Sequence, residues 1–227
     1  MFKLMSINLP VADYSRLSRR APGLKVRLRR ETTKKITDLV IDSTGVKIYG
    51  EGEWKVRTHG KDKRRTWRKL HIAVDTETWE ITAVELTDKG VVDPRVLPTL
   101  LEQTEGEVEK VYADGAYDAN QCRKAIWKKG AKALIPPRKG AVESKYYYME
   151  ERNLAIREKE EKGEAGWKKE SGYHKRSLVE TEMGRIKGIL GERMSSRKME
   201  TQVTEARIKS MVLNRMSELG MPDTVAI

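Results

Sequence analysis

The sequence predicts an α/β fold in which a mixed sheet is flanked by helices. Short apolar runs typical of buried strands alternate with amphipathic helical segments, and a strand with a hairpin precedes the first helix. Of the 227 residues, 38% are hydrophobic and 35% are charged, which suffices for one domain with a core.

The first predicted element is a strand over residues 36–48, where an apolar run ends at Asp42. Two runs of alternating apolar residues separated by a short turn predict a hairpin over 69–88. A helix follows, and a second apolar strand within 108–118 leads to Asp114. Both acids are therefore expected at strand ends.

The remaining elements complete the layer of helices. A helix that ends at Gly130 is followed by a short strand over 131–137, and residues 138–170 are too polar for a firm assignment. Long helices are predicted over 173–190 and over 201–219. The order strand, hairpin, helix, strand, helix, strand, helix matches the ribonuclease H-like architecture.

Residue counts exclude several classes of protein. The single cysteine, Cys122, excludes an intrachain disulfide and a thiolate zinc cluster, and three scattered histidines form no metal motif. No apolar run reaches the roughly 18 residues of a membrane span, and the first residues lack the apolar core of a signal peptide. We expect a cytoplasmic, nucleoid-associated protein without a membrane partner.

Positive charge indicates a polyanionic partner. The formal net charge is +12, and lysines and arginines concentrate within residues 16–35 and 55–69, the second cluster lying beside Trp54 and Trp67. Double-stranded DNA is the expected partner, and a solvated charge-rich surface is the alternative interpretation. The predicted DNA contacts in the second cluster are Arg57, Lys63, Arg64, Arg65 and Arg68.

Two acids, Asp42 and Asp114, follow similar apolar runs, in the sequences LVID and VYAD. An ionised carboxylate beside a buried run needs a partner, and a divalent cation is a suitable one. If the two strands are neighbours, both carboxylates reach one ion. The alternative is that each aspartate merely begins a turn at its strand end.

A third acid, Glu180, lies on the helix predicted over 173–190. At 100° per residue, four residues share a stripe about 60° wide beside an apolar stripe: Tyr173, Arg176, Glu180 and Lys187. Packing the apolar stripe on the sheet would bring Glu180 towards the two aspartates. The alternative is an amphipathic helix whose charged flank holds an ordinary i, i+4 pair of Arg176 and Glu180.

These three acids match the needs of phosphodiester cleavage by two metal ions. Such cleavage uses oxygen ligands on two hard ions about 3.5–4 Å apart, one activating the attacking hydroxyl and the other stabilising the leaving oxygen. Asp42, Asp114 and Glu180 are the candidate ligands and catalytic residues for two Mg²⁺ ions, for which Mn²⁺ can substitute. This chemistry requires no catalytic histidine or cysteine.

The same residues resemble a known family. The spacing Tyr-x2-Arg-x3-Glu-x6-Lys from Tyr173 to Lys187 is similar to the signature of DDE transposases of bacterial insertion sequences, in the IS-four/IS-five-like branch. The similarity covers nearly the whole chain. Its other segments are residues 9–23, 42–75, 111–118 and 213–222.

The resemblance implies a ribonuclease H-like catalytic domain in which the three acids bind the metal ions. It also implies that Tyr173, Arg176 and Lys187 lie against the transposon-end DNA near the scissile phosphate. The implied reaction is hydrolysis at the ends of the element, followed by attack of the freed 3′-hydroxyl on target DNA. ATP is not required.

Members of this family normally carry a further helical segment upstream of the stretch that resembles residues 9–23. We therefore expect a truncated copy that acts as a homodimer on DNA or pairs with a full-length transposase. The predicted division is a basic N-terminal remnant over 1–35, a catalytic domain over 36–200 and a C-terminal helix over 201–227 that packs on the core. The alternatives are a non-catalytic DNA-binding remnant and a metal-dependent DNA nuclease of the same fold.

Overall fold

The computed structural model describes residues 13–24, 26–28, 34–48 and 67–220. Within these ranges the strands form a six-stranded sheet. They are β1 (Ile36–Ile48), β2 (Trp67–Asp75), β3 (Ile81–Asp88), β4 (Val108–Tyr112), β5 (Lys132–Leu134) and β6 (Arg193–Met194). The strand order is β3-β2-β1-β4-β5, with β6 paired to β1.

Strand direction completes the topology. The β2 strand is antiparallel to both β1 and β3, whereas β1, β4 and β5 run parallel to one another. This order and these directions are those of the ribonuclease H-like architecture, so the α/β class predicted from the sequence is confirmed.

Helices cover both faces of the sheet. They are α1 (Tyr14–Arg20), α2 (Leu97–Gln103), α3 (Asn120–Lys128), α4 (Glu150–Glu170), α5 (Leu178–Leu190) and α6 (Met199–Glu218). None of the helices in the part of the chain described by the structure combines the length and the apolar character needed to cross a bilayer.

The core lies on both sides of β1 because its residues alternate between the two faces. Leu39 and Ile41 pack with α2 and α3, whereas Val40 and Val46 pack with residues of α4, α5 and α6. Since both faces are apolar, β1 is a buried central strand, as its nearly continuous apolar run indicates.

The strand predicted over 36–48 is confirmed as β1, but the placement of Asp42 at a strand end is wrong. The strand does not end at this residue but continues to Ile48, and Asp42 pairs with Ile72 of β2. The run after Asp42 is polar, which reads as a strand end in sequence, yet β2 and β6 supply hydrogen-bonding partners on both edges. Asp42 is therefore a mid-strand residue.

The helix predicted over 173–190 is also different. Residues Tyr173–Ser177 form a 3₁₀ helix, and the α-helix α5 begins at Leu178. A 3₁₀ helix has about 3.0 residues per turn, so a wheel drawn at 100° per residue misplaces Tyr173 relative to Glu180. The four residues of the signature therefore do not form the single stripe predicted from the sequence, and their positions are given by the contacts described below.

Most of the unassigned stretch 138–170 is the helix α4. It contains a break at Gly163, whose φ of 73° and ψ of 170° are not helical. A positive φ suits glycine, which has no Cβ to clash with the backbone. The break divides α4 into two segments that meet at an angle beside the candidate active site.

Candidate active site

One face of β1 meets the chain between Tyr173 and Leu190 through three polar contacts in succession. Lys175 Nζ donates to Asp38 Oδ2 at 2.5 Å, Arg176 Nη1 to Asp42 Oδ2 at 2.7 Å, and Lys187 Nζ to Thr44 Oγ1 at 2.6 Å. The three acceptors are separated along β1 by even numbers of residues, so they share a face. This face presents Asp42 to the helix that carries Glu180.

The register of two parallel strands brings Asp42 and Asp114 together. The last pair between β1 and β4 is Val40 with Tyr112. Asp42 and Asp114 each lie two residues beyond this pair, Asp42 within β1 and Asp114 past the end of β4. Burial is the main cause of the raised pKa of Asp42, and the charge of Asp114 adds to it.

Asp114 lies just beyond β4 and begins a 3₁₀ turn over Gly115–Tyr117. Its Oδ1 accepts a 2.8 Å hydrogen bond from the Ala116 amide, which fixes the carboxylate as an N-cap. Arg138 clamps the same turn, because its guanidinium donates to the carbonyls of Gly115 at 3.2 Å and Ala116 at 2.9 Å. The side chain of Asp114 is thus held by its own turn rather than by a strand.

Glu180 joins this group through Arg176. The Nη2 atom of Arg176 donates to Glu180 Oε1 at 2.6 Å, while Nη1 of the same guanidinium binds Asp42. Glu180 lies in the first turn of α5 with 58% of its side chain exposed, whereas Asp42 is 16% exposed. One arginine therefore links a nearly buried acid to an exposed one, and the structure brings all three predicted acids to one region.

The other residues of the signature lie around the acids. Tyr173 is buried, and its hydroxyl donates to the Ala113 carbonyl at 3.2 Å, one residue before Asp114. Burial raises the pKa of Tyr173 to about 12, so the phenol stays a donor at neutral pH. Lys187 binds Thr44, which lies two residues along β1 from Asp42.

Divalent ions fit the chemistry of this donor set, since three carboxylates supply the oxygen ligands that Mg²⁺ prefers. In the described ranges, however, no group of three or more acidic, histidine or cysteine residues stands ready to hold a metal. The guanidinium of Arg176 already binds oxygen atoms of both Asp42 and Glu180. A metal would have to displace these contacts.

Of the DNA contacts predicted in the second basic cluster, the structure describes only Arg68. Arg57, Lys63, Arg64 and Arg65 lie outside the described residues. Arg68 lies on β2, where its Nε donates to Gln202 at 3.1 Å and its guanidinium pairs with Asp88. Arg68 is therefore committed to contacts within the protein, and its role towards DNA remains a prediction.

Some residues that shape the site were not predicted. Asp93 accepts a hydrogen bond from the Ser43 hydroxyl at 2.9 Å and forms an ion pair with Lys69 at 2.6 Å, and so fixes the residue that follows Asp42. The clamp by Arg138 is another example. Both link parts of the chain that are distant in sequence, and no periodic pattern in a single sequence signals such contacts.

Comparison with known proteins identifies the family. Two family models, both described as a transposase DDE domain, match this chain, one over residues 33–215 and the other over residues 1–51. The first match covers most of the chain, so the chain belongs to the transposase DDE domain family.

A solved structure is also similar to this chain. It is the crystal structure of the Mos1 Strand Transfer Complex, with 11% sequence identity and a TM-score of 0.30. The match covers 95% of this chain and 66% of that chain, so this chain spans just under two thirds of its length. A TM-score this low supports no statement about function.

Proposed function

We propose that this chain is a transposase that cleaves DNA at the ends of an insertion sequence and joins the freed end to target DNA. The observation that supports the proposal is the contact of the Arg176 guanidinium with both Asp42 and Glu180, with Asp114 close enough for its charge to act on Asp42, in a member of the transposase DDE domain family. We assign the catalytic role to these three acids and the catalytic unit to residues 36–200.

The three carboxylates are the groups that would hold divalent metal ions, two Mg²⁺ or Mn²⁺. When bound, such ions activate the attacking hydroxyl and stabilise the leaving oxygen of the phosphodiester. The residues of the chain differ in how they contribute. Asp42 and Asp114 are held by a strand and a capped turn, whereas the exposed Glu180 lies in the first turn of α5 and is bound by Arg176.

The signature residues Tyr173, Arg176 and Lys187 position the DNA in this proposal. Lys187 and Arg176 present cations on the same face of β1 as Asp42, where a phosphate beside the acids would lie. Tyr173 holds the backbone next to Asp114 through its hydroxyl. We assign the chain to the branch with the Tyr-x2-Arg-x3-Glu-x6-Lys signature, and in this proposal it acts on double-stranded DNA as a homodimer or with another transposase subunit.

The experiment is a cleavage assay on duplex DNA that carries the inverted repeats flanking the gene. We expect nicking and strand transfer with Mg²⁺ or Mn²⁺ and none with EDTA. Asp114→Asn and Glu180→Gln should each abolish both steps, because each removes one ionised ligand.

Glu102→Gln is the matched control, since it removes an exposed acid of α2, on the other side of the sheet. This variant should cleave like the unmodified chain. Unchanged cleavage by Asp114→Asn and Glu180→Gln would show that other residues perform the chemistry. DNA binding without any cleavage would identify the chain as a non-catalytic DNA-binding protein.

A further inference from the structure

A cavity of about 720 Å³ opens beside the candidate active site, between α4 and the loop 136–141. Gly115, which follows Asp114, and Tyr173 both contribute to its wall, so the cavity borders residues next to the candidate site. Its charged lining consists of Arg138, Lys139, Lys159, Glu160, Glu164 and Lys168. Four cations and two acids leave the lining with a net charge of +2, which suits an anionic ligand.

Glu164 lies at the centre of this charge arrangement. Its Oε1 is 2.7 Å from Lys168 Nζ, and its Oε2 is 3.7 Å from Lys159 Nζ. The break at Gly163 makes this possible, because Lys159 precedes the break and Lys168 follows it. One carboxylate thus bridges two lysines from two helical segments, in the way that a phosphate oxygen pair would.

The two lysines are held ready by further contacts. Lys159 Nζ also donates to the Pro137 carbonyl at 3.2 Å. Lys168 Nζ lies 5.9 Å from the centre of the Tyr173 ring, which is within the range of a cation–π contact. Both ammonium groups thus have contacts at the cavity wall besides those with Glu164.

We propose that this cavity binds phosphates of the DNA strand that passes Asp114, and that Glu164 occupies the position of one phosphate until DNA displaces it. The identity of the strand rests on the proposed function, whereas the phosphate site rests on the cavity and its lysines. Glu164 is 58% exposed, and exposed ion pairs are weak, so displacement costs little. A DNA phosphate gains in addition from the release of its counterions.

The test measures binding without catalysis. A fluorescently labelled duplex of about 30 base pairs and arbitrary sequence is titrated with the full chain in EDTA, by anisotropy, over a series of salt concentrations. Glu164→Gln should tighten binding by about two- to fivefold, because it frees both lysines. Lys168→Ala should weaken binding and reduce the slope of log affinity against log salt by about 0.9, the value for one phosphate contact.

Each variant has a matched control. Glu143→Gln removes the same charge from an exposed acid that pairs with Arg157 at 3.7 Å outside the cavity. Lys89→Ala removes an exposed lysine from the turn after β3. Glu143→Gln should change binding far less than Glu164→Gln, and Lys89→Ala far less than Lys168→Ala. In the double variant Glu164→Gln with Lys168→Ala, the gain from Glu164→Gln should shrink.

Two results would overturn the proposal. If Glu164→Gln and Glu143→Gln tighten binding equally, the effect is one of net charge alone. If Lys168→Ala behaves like Lys89→Ala, the cavity takes no phosphate. The binding assay contains no metal ion and does not depend on catalysis. Absence of DNA cleavage in the Mg²⁺ assay would therefore contradict the proposed function and leave this binding result intact. Conversely, a failure of the binding predictions would leave the proposed cleavage activity intact.

Discussion

Arg176 Nη1 donates a 2.7 Å hydrogen bond to Asp42 Oδ2, between residues 134 positions apart. The same guanidinium binds Glu180, so one cation serves two of the three candidate metal ligands. Burial raises the pKa of Asp42, and Arg176 opposes that shift. In the protein without metal, Arg176 therefore supplies part of the positive charge that divalent ions would supply.

This relationship predicts competition between Arg176 and metal. Arg176→Gln should bind Mn²⁺ more tightly than the unmodified chain, because the metal no longer has to displace a guanidinium from Asp42 and Glu180. Without metal, the variant should be less stable by about 2 kcal/mol, since a charged hydrogen bond to a mostly buried carboxylate is lost. Calorimetric titration with Mn²⁺ and urea unfolding in EDTA measure the two effects.

Arg157→Gln serves as the control, because Arg157 pairs with Glu143 at the surface. Arg157→Gln should change both Mn²⁺ binding and the free energy of unfolding much less than Arg176→Gln does. Weaker Mn²⁺ binding by Arg176→Gln would mean that Arg176 assists the metal rather than competing with it.

The strands could be predicted from the sequence, because buried strands such as β1 carry apolar runs and the β2–β3 hairpin alternates. The helix α4 could not be predicted. Its buried residues are Ala155, Ile156 and Trp167, too few to produce a helical period among its charged residues. The break at Gly163 disturbs the pattern further.

The candidate site could be predicted in composition but not in geometry. The spacing from Tyr173 to Lys187 predicted an i, i+4 pair of Arg176 with Glu180, and this pair is present in the structure. The link from Arg176 to Asp42 depends on a 3₁₀ helix that spacing alone does not reveal. The pairing of β1 with β4 is a long-range property of the fold that a single sequence leaves open.

Asp118 is predicted to be important for stability. It accepts hydrogen bonds from Arg123 at 3.0 Å and Arg152 at 3.0 Å, and from the Arg138 amide at 3.1 Å. Arg123 is almost fully buried, so Asp118→Ala would leave a buried guanidinium without its carboxylate. We expect a loss of about 3–5 kcal/mol in the free energy of unfolding, measured with urea.

The control for Asp118 is Asp13→Ala, which removes the N-cap of the exposed helix α1. It should cost no more than about 1 kcal/mol, the usual effect of losing a cap. Equal losses in the free energy of unfolding for both variants would show that the ion pair of Asp118 with Arg123 stabilises the protein no more than a helix cap does.

Asn214 of α6 is predicted to stabilise the outer edge of β3. Its Oδ1 accepts from the Ile81 amide at 2.8 Å, and its Nδ2 donates to the Ile81 carbonyl at 2.9 Å. The side chain thus pairs with the strand as a neighbouring strand would. Asn214→Leu should cost about 2–3 kcal/mol in urea unfolding, because two buried backbone groups lose their partners.

Asn214→Asp separates the two bonds. Aspartate keeps an acceptor for the Ile81 amide but has no donor for the Ile81 carbonyl, so at neutral pH its carboxylate faces that oxygen. We expect Asn214→Asp to be destabilised as well. Stability equal to that of the unmodified chain in either variant would refute the role of Asn214 at this edge.

His71 is predicted to make the protein sensitive to acid. The side chain is fully buried, its Nε2 lies 2.9 Å from Thr87 Oγ1, and burial lowers the pKa to about 4 despite Asp93 at 3.7 Å. The nearby charge of Lys69 lowers it as well. Below the ordinary histidine pKa of about 6.5, the unfolded chain therefore binds a proton that the folded protein refuses.

The stability that neutral His71 contributes is thus complete above pH 6.5 and is lost as the pH falls towards 4, by up to about 3 kcal/mol. Urea unfolding at pH 7 and at pH 4.5 measures this loss. His71→Gln cannot take up the proton, so its free energy of unfolding should fall less between the two pH values, whatever its stability at pH 7. An equal fall in both proteins would assign the acid sensitivity to the carboxylates instead of to His71.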